Sequence, residues 1–153
     1  MAYWLFKSEP SVFSFDDLLK APKRTSGWDG VRNYQARNYL RDTMAVGDRV
    51  LFYHSSTEVP AVVGLAKIVR AGYPDPTQFD RKHDHYDPKS KPDAPPWYQV
   101  DIVGERALKR PVPLTELKAA KGFDGLMLLQ RGARLSVQPV SKEHFERIVK
   151  LGG

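Results

Sequence analysis

Prolines and glycines fall throughout the chain, and their spacing constrains the fold more than any other feature. The 153 residues include 12 prolines and 11 glycines. A proline inside a helix removes a backbone hydrogen bond and clashes with the preceding turn, so a chain interrupted this often does not form a bundle of long helices. The pattern predicts short strands and structured loops. The length is that of a single domain, residues 1–153, with a core of its own.

Apolar and β-branched runs predict five strands, at residues 2–7, 49–54, 61–70, 97–103 and 136–140. Four short helices are predicted: residues 15–20 after the cap Ser14, a helix that begins at Asn33, residues 114–120, and a C-terminal helix capped by Ser141. Mixed α and β elements with short strands favour an α+β fold, a small β-barrel with surrounding helices, over a βαβ sandwich.

Residues 71–96 form the longest segment without a predicted element. Prolines occur there at positions 74, 76, 88, 92, 95 and 96, with aspartates and histidines between them. A loop of this length in a compact domain is usually functional or disordered.

The charge balance favours a polyanionic partner. Lys and Arg number 24 against 18 Asp and Glu, which gives a net charge of +6. Such a surface attracts nucleic acid, although a basic surface without a specific partner fits the charge equally well. The absence of cysteine excludes disulfides, thiolate metal sites and cysteine nucleophiles. The N-terminal apolar run is too short for a signal peptide or a membrane span, so we expect a cytoplasmic protein, or a nuclear one in a eukaryote, without membrane association.

Four long segments resemble the EVE domain family of PUA-like proteins. They are YWLFKSEP (3–10), WDGVRNYQARNYLR (28–41), GDRVLFYHSS (47–56) and LLQRGARLSVQPVS (128–141). The stretch YPDPTQFD (73–80) resembles the same family, so the similarity runs over nearly the whole chain. It implies a PUA-like mixed barrel, related to the domains that read methylated adenine in RNA. It also implies a non-catalytic nucleic-acid reader that takes a flipped, modified base, with modified cytosine in DNA as the leading ligand.

A flipped base needs an aromatic face to stack on and a polar group to read its edge. Trp28, between two glycines in a loop, is the candidate stacking wall; the alternative is that it anchors this loop in the core. Asp87 is the candidate carboxylate, because a carboxylate accepts from the cytosine amino group and repels the carbonyl of thymine. The alternative for Asp87 is a simple Asp-Pro turn.

The ends of the predicted strands supply the other pocket candidates, since strand ends surround the mouth of a small barrel. Ser8 follows the first strand, and Tyr53, His54 and Ser55 end another. Asn33 can cap its helix or present its amide to a base. The candidate phosphate contacts are the basic residues Lys7, Arg32, Arg37, Lys89, Arg131 and Arg134, any of which could equally be a solvated surface charge.

Three other functions compete with this interpretation. The spacing His83, His85 and Asp87 is typical of a metal hydrolase, but Pro88 stands where a further histidine is needed, so we expect no metal and no cofactor. A deaminase is excluded because its zinc requires cysteine. A glycosylase would need only a carboxylate such as Asp87 or Asp29, and a protein-interaction adaptor would need no nucleic acid. We expect a monomer that is not an enzyme.

Overall fold

The computed structural model describes residues 1–132 and 134–153. Its strands are β1 Tyr3–Ser8, β2 Thr25–Gly27, β3 Arg49–His54, β4 Ala61–Pro74, β5 Tyr98–Pro113 and β6 Val137–Val140. Its α-helices are α1 Phe15–Lys20, α2 Tyr34–Asn38, α3 Leu114–Ala119 and α4 Lys142–Gly152. A π turn, Tyr39–Thr43, continues α2, and short 3₁₀ turns lie at Pro22–Arg24, Pro76–Phe79 and Met127–Leu129. Within the described residues, every helix falls short of the length and apolarity that crossing a membrane demands.

The six strands form one mixed sheet in the order β2-β5-β4-β3-β1-β6. Strands β1 and β3 run parallel, and the other paired strands are antiparallel. The predicted α+β class with short strands and surrounding helices is confirmed. One detail differs from the barrel expectation: among the described residues the ladder ends at β2 and β6, so hydrogen bonding does not close it into a ring.

Alternating side chains divide the core into two clusters, because successive residues of a strand point to opposite faces. Trp4 and Phe6 of β1 enter the first cluster, together with Phe52 of β3. Leu5 of β1 and Tyr53 of β3 enter the second cluster. Helix α4 contributes its buried face to the second cluster, and α1 and α2 contribute to the first.

The helix caps agree with the sequence. Ser14 forms a capping box with Asp17 at the start of α1, and this helix has the predicted bounds. Ser141 accepts a hydrogen bond from the backbone N–H of His144 at the start of α4. The predicted apolar stripe of α4 is largely confirmed, since Phe145 and Ile148 are buried.

Strands β4 and β5 are longer than the sequence predicts. They continue to Pro74 and Pro113, whereas the predicted strands end at residues 70 and 103. Their register shifts at four points, and each irregularity breaks the alternation on which a strand prediction depends. Strand β2 was missed because its three residues, Thr25–Gly27, are short and polar and acquire strand geometry only by pairing with β5.

Candidate functional site

A cavity of about 680 Å³ opens where four segments of the chain meet. These segments are the end of β1 with the turn that follows it, the β2 segment, the loop 83–85, and the residue just before β6. The cavity is lined by Lys7, Ser8, Glu9, Val12, Phe13, Ser26, Gly27, Trp28, Asp29, Gly30, Val31, His83, Asp84, His85 and Ser136. Its volume is within the range of small-molecule sites, and the lining combines aromatic and ionisable side chains.

Trp28 forms the aromatic wall of this cavity and is also anchored in the core. Its side chain packs against Phe6, Phe13 and Phe52, with ring centroids 5.0, 6.4 and 5.5 Å away. Only 8% of the residue is exposed, and its backbone N–H donates to the carbonyl of Val100 at 2.8 Å. The two interpretations of Trp28 are therefore compatible, because a rigidly packed indole presents one part to the cavity.

Gly30 lets the loop after Trp28 pass close to the loop 83–85. Its φ of +77° lies in the left-handed region, and a Cβ at this position would collide with the imidazole of His85. The backbone N–H of Gly30 donates to Asp75 Oδ2 at 2.9 Å. A side chain at residue 30 would therefore separate the two loops that form one wall of the cavity.

Asp75 is a buried hydrogen-bond centre behind this wall. Its carboxylate accepts from Gly30, from both the N–H and the hydroxyl of Thr77, and from Arg32 at 3.0 Å. Burial opposes the ionisation of Asp75, but the hydrogen bonds from Thr77, Gly30 and Arg32 outweigh it, so its pKa lies below the ordinary value. The guanidinium of Arg32 also donates to the carbonyl of His85 at 2.6 Å. Arg32, expected at a phosphate, instead braces the cavity wall.

Asp29, His83 and His85 form a polar edge beside the aromatic wall. Asp29 Oδ1 lies 3.9 Å from His85 Nδ1, and the two imidazole centroids are 4.8 Å apart. The backbone N–H of His85 donates to His83 Nδ1 at 3.0 Å. His85 Nδ1 is buried and lacks a hydrogen-bond partner within the described chain. The Asp29 side chain is 40% exposed, so its carboxylate is the acceptor of this edge that a ligand can reach.

The same three side chains are close enough to be considered as metal ligands. One ligand atom from each lies within 4.8 Å of the others. However, His83 Nδ1 already accepts a hydrogen bond, so a neutral His83 carries its proton on Nε2 and presents a donor there. The arrangement is better suited to hydrogen bonding than to metal binding. The third member is Asp29 and not the Asp87 of the sequence pattern.

Asp87 lies outside the described cavity lining, which corrects its expected position. Its Oδ2 accepts from Trp97 Nε1 at 2.7 Å, and its Oδ1 accepts from the backbone N–H of Lys89 at 2.9 Å. The hydrogen bond from Trp97, followed by that from Lys89, lowers the pKa of Asp87 below its ordinary value. The Asp-Pro turn directs the carboxylate onto Trp97, so the alternative considered for Asp87 describes its observed contacts.

Four other pocket candidates also have structural roles outside the lining. Tyr53 is 3% exposed in the second core cluster, on the sheet face opposite to the cluster of Trp28. His54 Nε2 accepts from the backbone N–H of Phe15 at 3.1 Å, and Asn33 caps α2 by accepting from Ala36 at 3.0 Å. The backbone N–H of Ser55 donates to the carbonyl of Ser8 at 3.0 Å.

Ser8 and Lys7 do line the cavity, as the strand-end argument predicts. The hydroxyl of Ser8 donates to the carbonyl of Phe13 at 2.6 Å and so also stabilises the turn after β1. Partial burial lowers the pKa of the Lys7 ammonium relative to its ordinary value. Lys7 is therefore a partly buried lysine of the cavity lining, at the end of β1.

The remaining phosphate candidates differ in their contacts and in their exposure. Arg37 Nη1 donates to the carbonyl of Pro96 at 2.6 Å, which ties its guanidinium to the loop before β5. Lys89, Arg131 and Arg134 are exposed. Arg134 is two residues before Ser136, which lines the cavity.

The sequence reasoning missed the combination of Asp29 with the two histidines. Asp29 directly follows Trp28, and this position could have identified it as a pocket candidate. Its proximity to the two histidines, however, depends on the loop 83–85 folding back over Gly30. Ser136 also went unassigned. Its place follows from pairing, because the backbone N–H of Lys7 donates to the carbonyl of Ser136 at 2.8 Å.

The fold and the site define a mixed α+β domain with an aromatic and ionisable cavity at the end of β1, and comparison with known proteins specifies its family. The chain belongs to the EVE domain family, which it matches over residues 2–151. Thymocyte nuclear protein 1 from Mus musculus is 48% identical over 165 residues, covering 97% of this chain and 73% of the relative.

Solved structures agree with this assignment. A protein from Pseudomonas putida superposes with a TM-score of 0.94 and 46% identity, covering 99% of this chain and 100% of that one. Human THYN1 in complex with 5-methylcytosine-containing DNA gives a TM-score of 0.92 and 45% identity, with coverage of 99% and 98%.

Proposed function

We propose that this chain is a non-catalytic reader of 5-modified cytosine in DNA, which holds one flipped base in the cavity beside Trp28. The observation that carries the proposal is the juxtaposition of an aromatic wall, Trp28 and Phe13, with the polar edge formed by Asp29 and His85. A flipped base requires both kinds of surface. The human relative bound to 5-methylcytosine DNA supports the same ligand for this chain, and it favours DNA over RNA as the polymer.

Asp29 replaces Asp87 as the residue that distinguishes cytosine. Its carboxylate accepts a hydrogen bond from the cytosine amino group, whereas thymine would present a carbonyl to the same oxygen atoms. Such a mismatch costs about 1–3 kcal/mol. The imidazole of His85, whose Nδ1 lies 3.9 Å from Asp29 Oδ1, completes the polar edge.

The 5-substituent adds a smaller contribution. A methyl group buried against apolar wall atoms contributes about 0.8 kcal/mol, which corresponds to a preference of roughly fourfold over unmodified cytosine. Stacking on an aromatic ring contributes about 1–3 kcal/mol without distinguishing the bases. Affinity therefore comes mainly from stacking and phosphate contacts, and selectivity comes from the edge.

Competition among four otherwise identical oligonucleotides tests the proposal. One position carries cytosine, 5-methylcytosine, 5-hydroxymethylcytosine or thymine, and each oligonucleotide displaces a labelled 5-methylcytosine probe. We expect the methylated cytosine to bind best, unmodified cytosine several-fold more weakly and thymine weakest. Equal affinity for all four would contradict the proposal. The same oligonucleotides recovered intact after incubation would support a non-catalytic role, whereas release of the base would indicate a glycosylase.

The proposal extends to the form and location of the protein. We propose that a single domain, residues 1–153, acts as a monomer in the cytoplasm, where bacterial DNA is accessible, or in the nucleus of a eukaryote. The mouse and human relatives are named thymocyte nuclear protein 1, which supports the nuclear alternative for a eukaryotic source.

A further inference from the structure

An exposed aromatic side chain lies outside the cavity lining. Tyr34, the first residue of α2, is 60% exposed. Its ring stacks on that of Trp97, with centroids 4.9 Å apart and planes inclined by 29°. Trp97 is buried, so it provides a fixed support that holds the tyrosine ring in one orientation.

Two arginines add positive charge to this stack. Arg37 Cζ lies 5.0 Å from the centroid of the Tyr34 ring, and Arg32 Cζ lies 5.4 Å from that of Trp97. Both guanidinium groups are held by backbone carbonyls, Arg37 by Pro96 and Arg32 by His85. An exposed aromatic ring with fixed cations around it is the combination that single-stranded nucleic acid recognises by stacking and phosphate contact.

Arg32 connects this surface to the cavity. It contacts the ring of Trp97 on one side and donates to the carbonyl of His85, a residue of the cavity lining, on the other. A strand that places one base in the cavity must carry its next nucleotide across the rim. Trp97 and Arg32 link the Tyr34 ring to His85 in the cavity lining.

We propose that Tyr34 and Arg37 form a second nucleotide site, which takes the nucleotide adjacent to the flipped base on the same strand. The base stacks against the exposed part of Tyr34, and Arg37 contacts its phosphate. This inference rests on the proposed function, because it needs a flipped base to fix the position of the strand. Stacking at this site is insensitive to base identity, so it raises affinity and leaves the preference for modified cytosine unchanged.

An abasic substitution combined with Tyr34 variants tests the second site. Oligonucleotides carry one 5-methylcytosine, and the nucleotide on its 5′ or 3′ side is either normal or abasic. For the unmodified protein we expect one of the two abasic positions to lower affinity about fivefold to 150-fold. Tyr34→Ala should bind the normal oligonucleotide more weakly than the unmodified protein does, by the same factor. Its affinity for the abasic oligonucleotide should equal its affinity for the normal one. Tyr34→Phe, which keeps the ring, and Val59→Ala, another exposed apolar position, should bind like the unmodified protein.

The outcomes separate this inference from the proposed function. If Tyr34→Ala binds the normal oligonucleotide as tightly as the unmodified protein, the second site is wrong, whereas an intact preference for 5-methylcytosine leaves the reader function standing. If the abasic position lowers the affinity of Tyr34→Ala by as much as it lowers that of the unmodified protein, the tyrosine does not act by stacking. This outcome also overturns the inference. Loss of discrimination among the central bases in the unmodified protein would instead refute the proposed function.

Discussion

Trp97 donates a hydrogen bond from Nε1 to Asp87 Oδ2 at 2.7 Å, and this contact places the carboxylate of the proline-rich loop outside the cavity. The indole of Trp97 is buried, so the hydrogen bond satisfies a donor that would otherwise be costly to bury. The same loop turns the imidazole of His85 towards Asp29. The acidic residue of the polar edge therefore comes from the Trp28 loop, and the proline-rich loop supplies histidines.

Exchanging the two aspartates tests which of them reads the base. Asp29→Asn removes the negative charge at the edge and supplies an amide that can pair with either base, so the preference for cytosine over thymine should fall by about tenfold. Asp87→Asn is the matched control, since its amide oxygen can still accept from Trp97 and the residue lies off the cavity. Affinity measured by fluorescence anisotropy with cytosine and thymine oligonucleotides decides this. A lost preference in Asp87→Asn with an unchanged one in Asp29→Asn would reverse the assignment.

Trp28 has a structural and a binding role, which two substitutions distinguish. Trp28→Ala removes a buried indole and should lower the free energy of unfolding by about 3–5 kcal/mol, as measured by urea denaturation. Trp28→Phe keeps an aromatic ring and should fold more stably than the alanine variant, yet it should bind oligonucleotides more weakly than the unmodified protein because its ring is smaller. If folded Trp28→Phe and Trp28→Ala both bind oligonucleotides as tightly as the unmodified protein, Trp28 has no role in binding.

His54 makes the stability of the fold depend on pH. Burial lowers the pKa of its imidazole, and nearby Asp16 opposes this shift. A lowered pKa in the folded state means that the neutral form is favoured there, so the stabilisation is complete above the unfolded value of about 6.5 and is lost as the pH falls below it. The neutral Nε2 accepts from the backbone N–H of Phe15, and protonation breaks that bond.

Urea denaturation of the unmodified protein and of His54→Gln at about pH 7.5 and about pH 5.5 measures this effect. The glutamine oxygen can accept from Phe15 but does not titrate in this range. We expect the unmodified protein to lose up to about 1 kcal/mol more than the variant on acidification. An identical loss in both proteins would show that another group is responsible.

Phosphate contacts should make binding strongly dependent on salt. Lys7 lines the cavity and Arg134 is exposed two residues before the lining residue Ser136; we expect that replacing either with glutamine reduces the slope of log affinity against log salt by about one. Lys150 on α4, which packs on the opposite core cluster, is the control and should leave the slope unchanged. Binding that is independent of salt, or absent at low salt, would favour the protein-interaction adaptor.

Sequence patterns predicted the helices and strands better than the cavity, because local signals define the former and distant contacts define the latter. Local signals define α1, because Ser14 and Asp17 cap it reciprocally, and they define β3 through its continuous apolar run. The cavity depends on distant contacts instead. His85 meets Asp29 only because Gly30 has no side chain and Asp75 holds its backbone, neither of which is a local property of the histidine.

Strand alternation explains the opposite outcomes of two neighbouring residues. Phe52 and Tyr53 are consecutive in β3, so one contacts Trp28 and the other enters the second cluster. The sequence identifies both as buried strand residues, but which face carries the cavity is decided by the position of the Trp28 loop. Tyr53 was expected in the pocket because it stands near the end of its strand, and the structure places it on the opposite face.

The most direct test of the account is the crystal structure of this chain with a short oligonucleotide containing one 5-methylcytosine. We predict that the methylated base is flipped into the cavity against Trp28, with its amino nitrogen about 3 Å from the carboxylate of Asp29. A methylated base that stays stacked in the duplex, or that binds away from Trp28 and Asp29, would contradict the account.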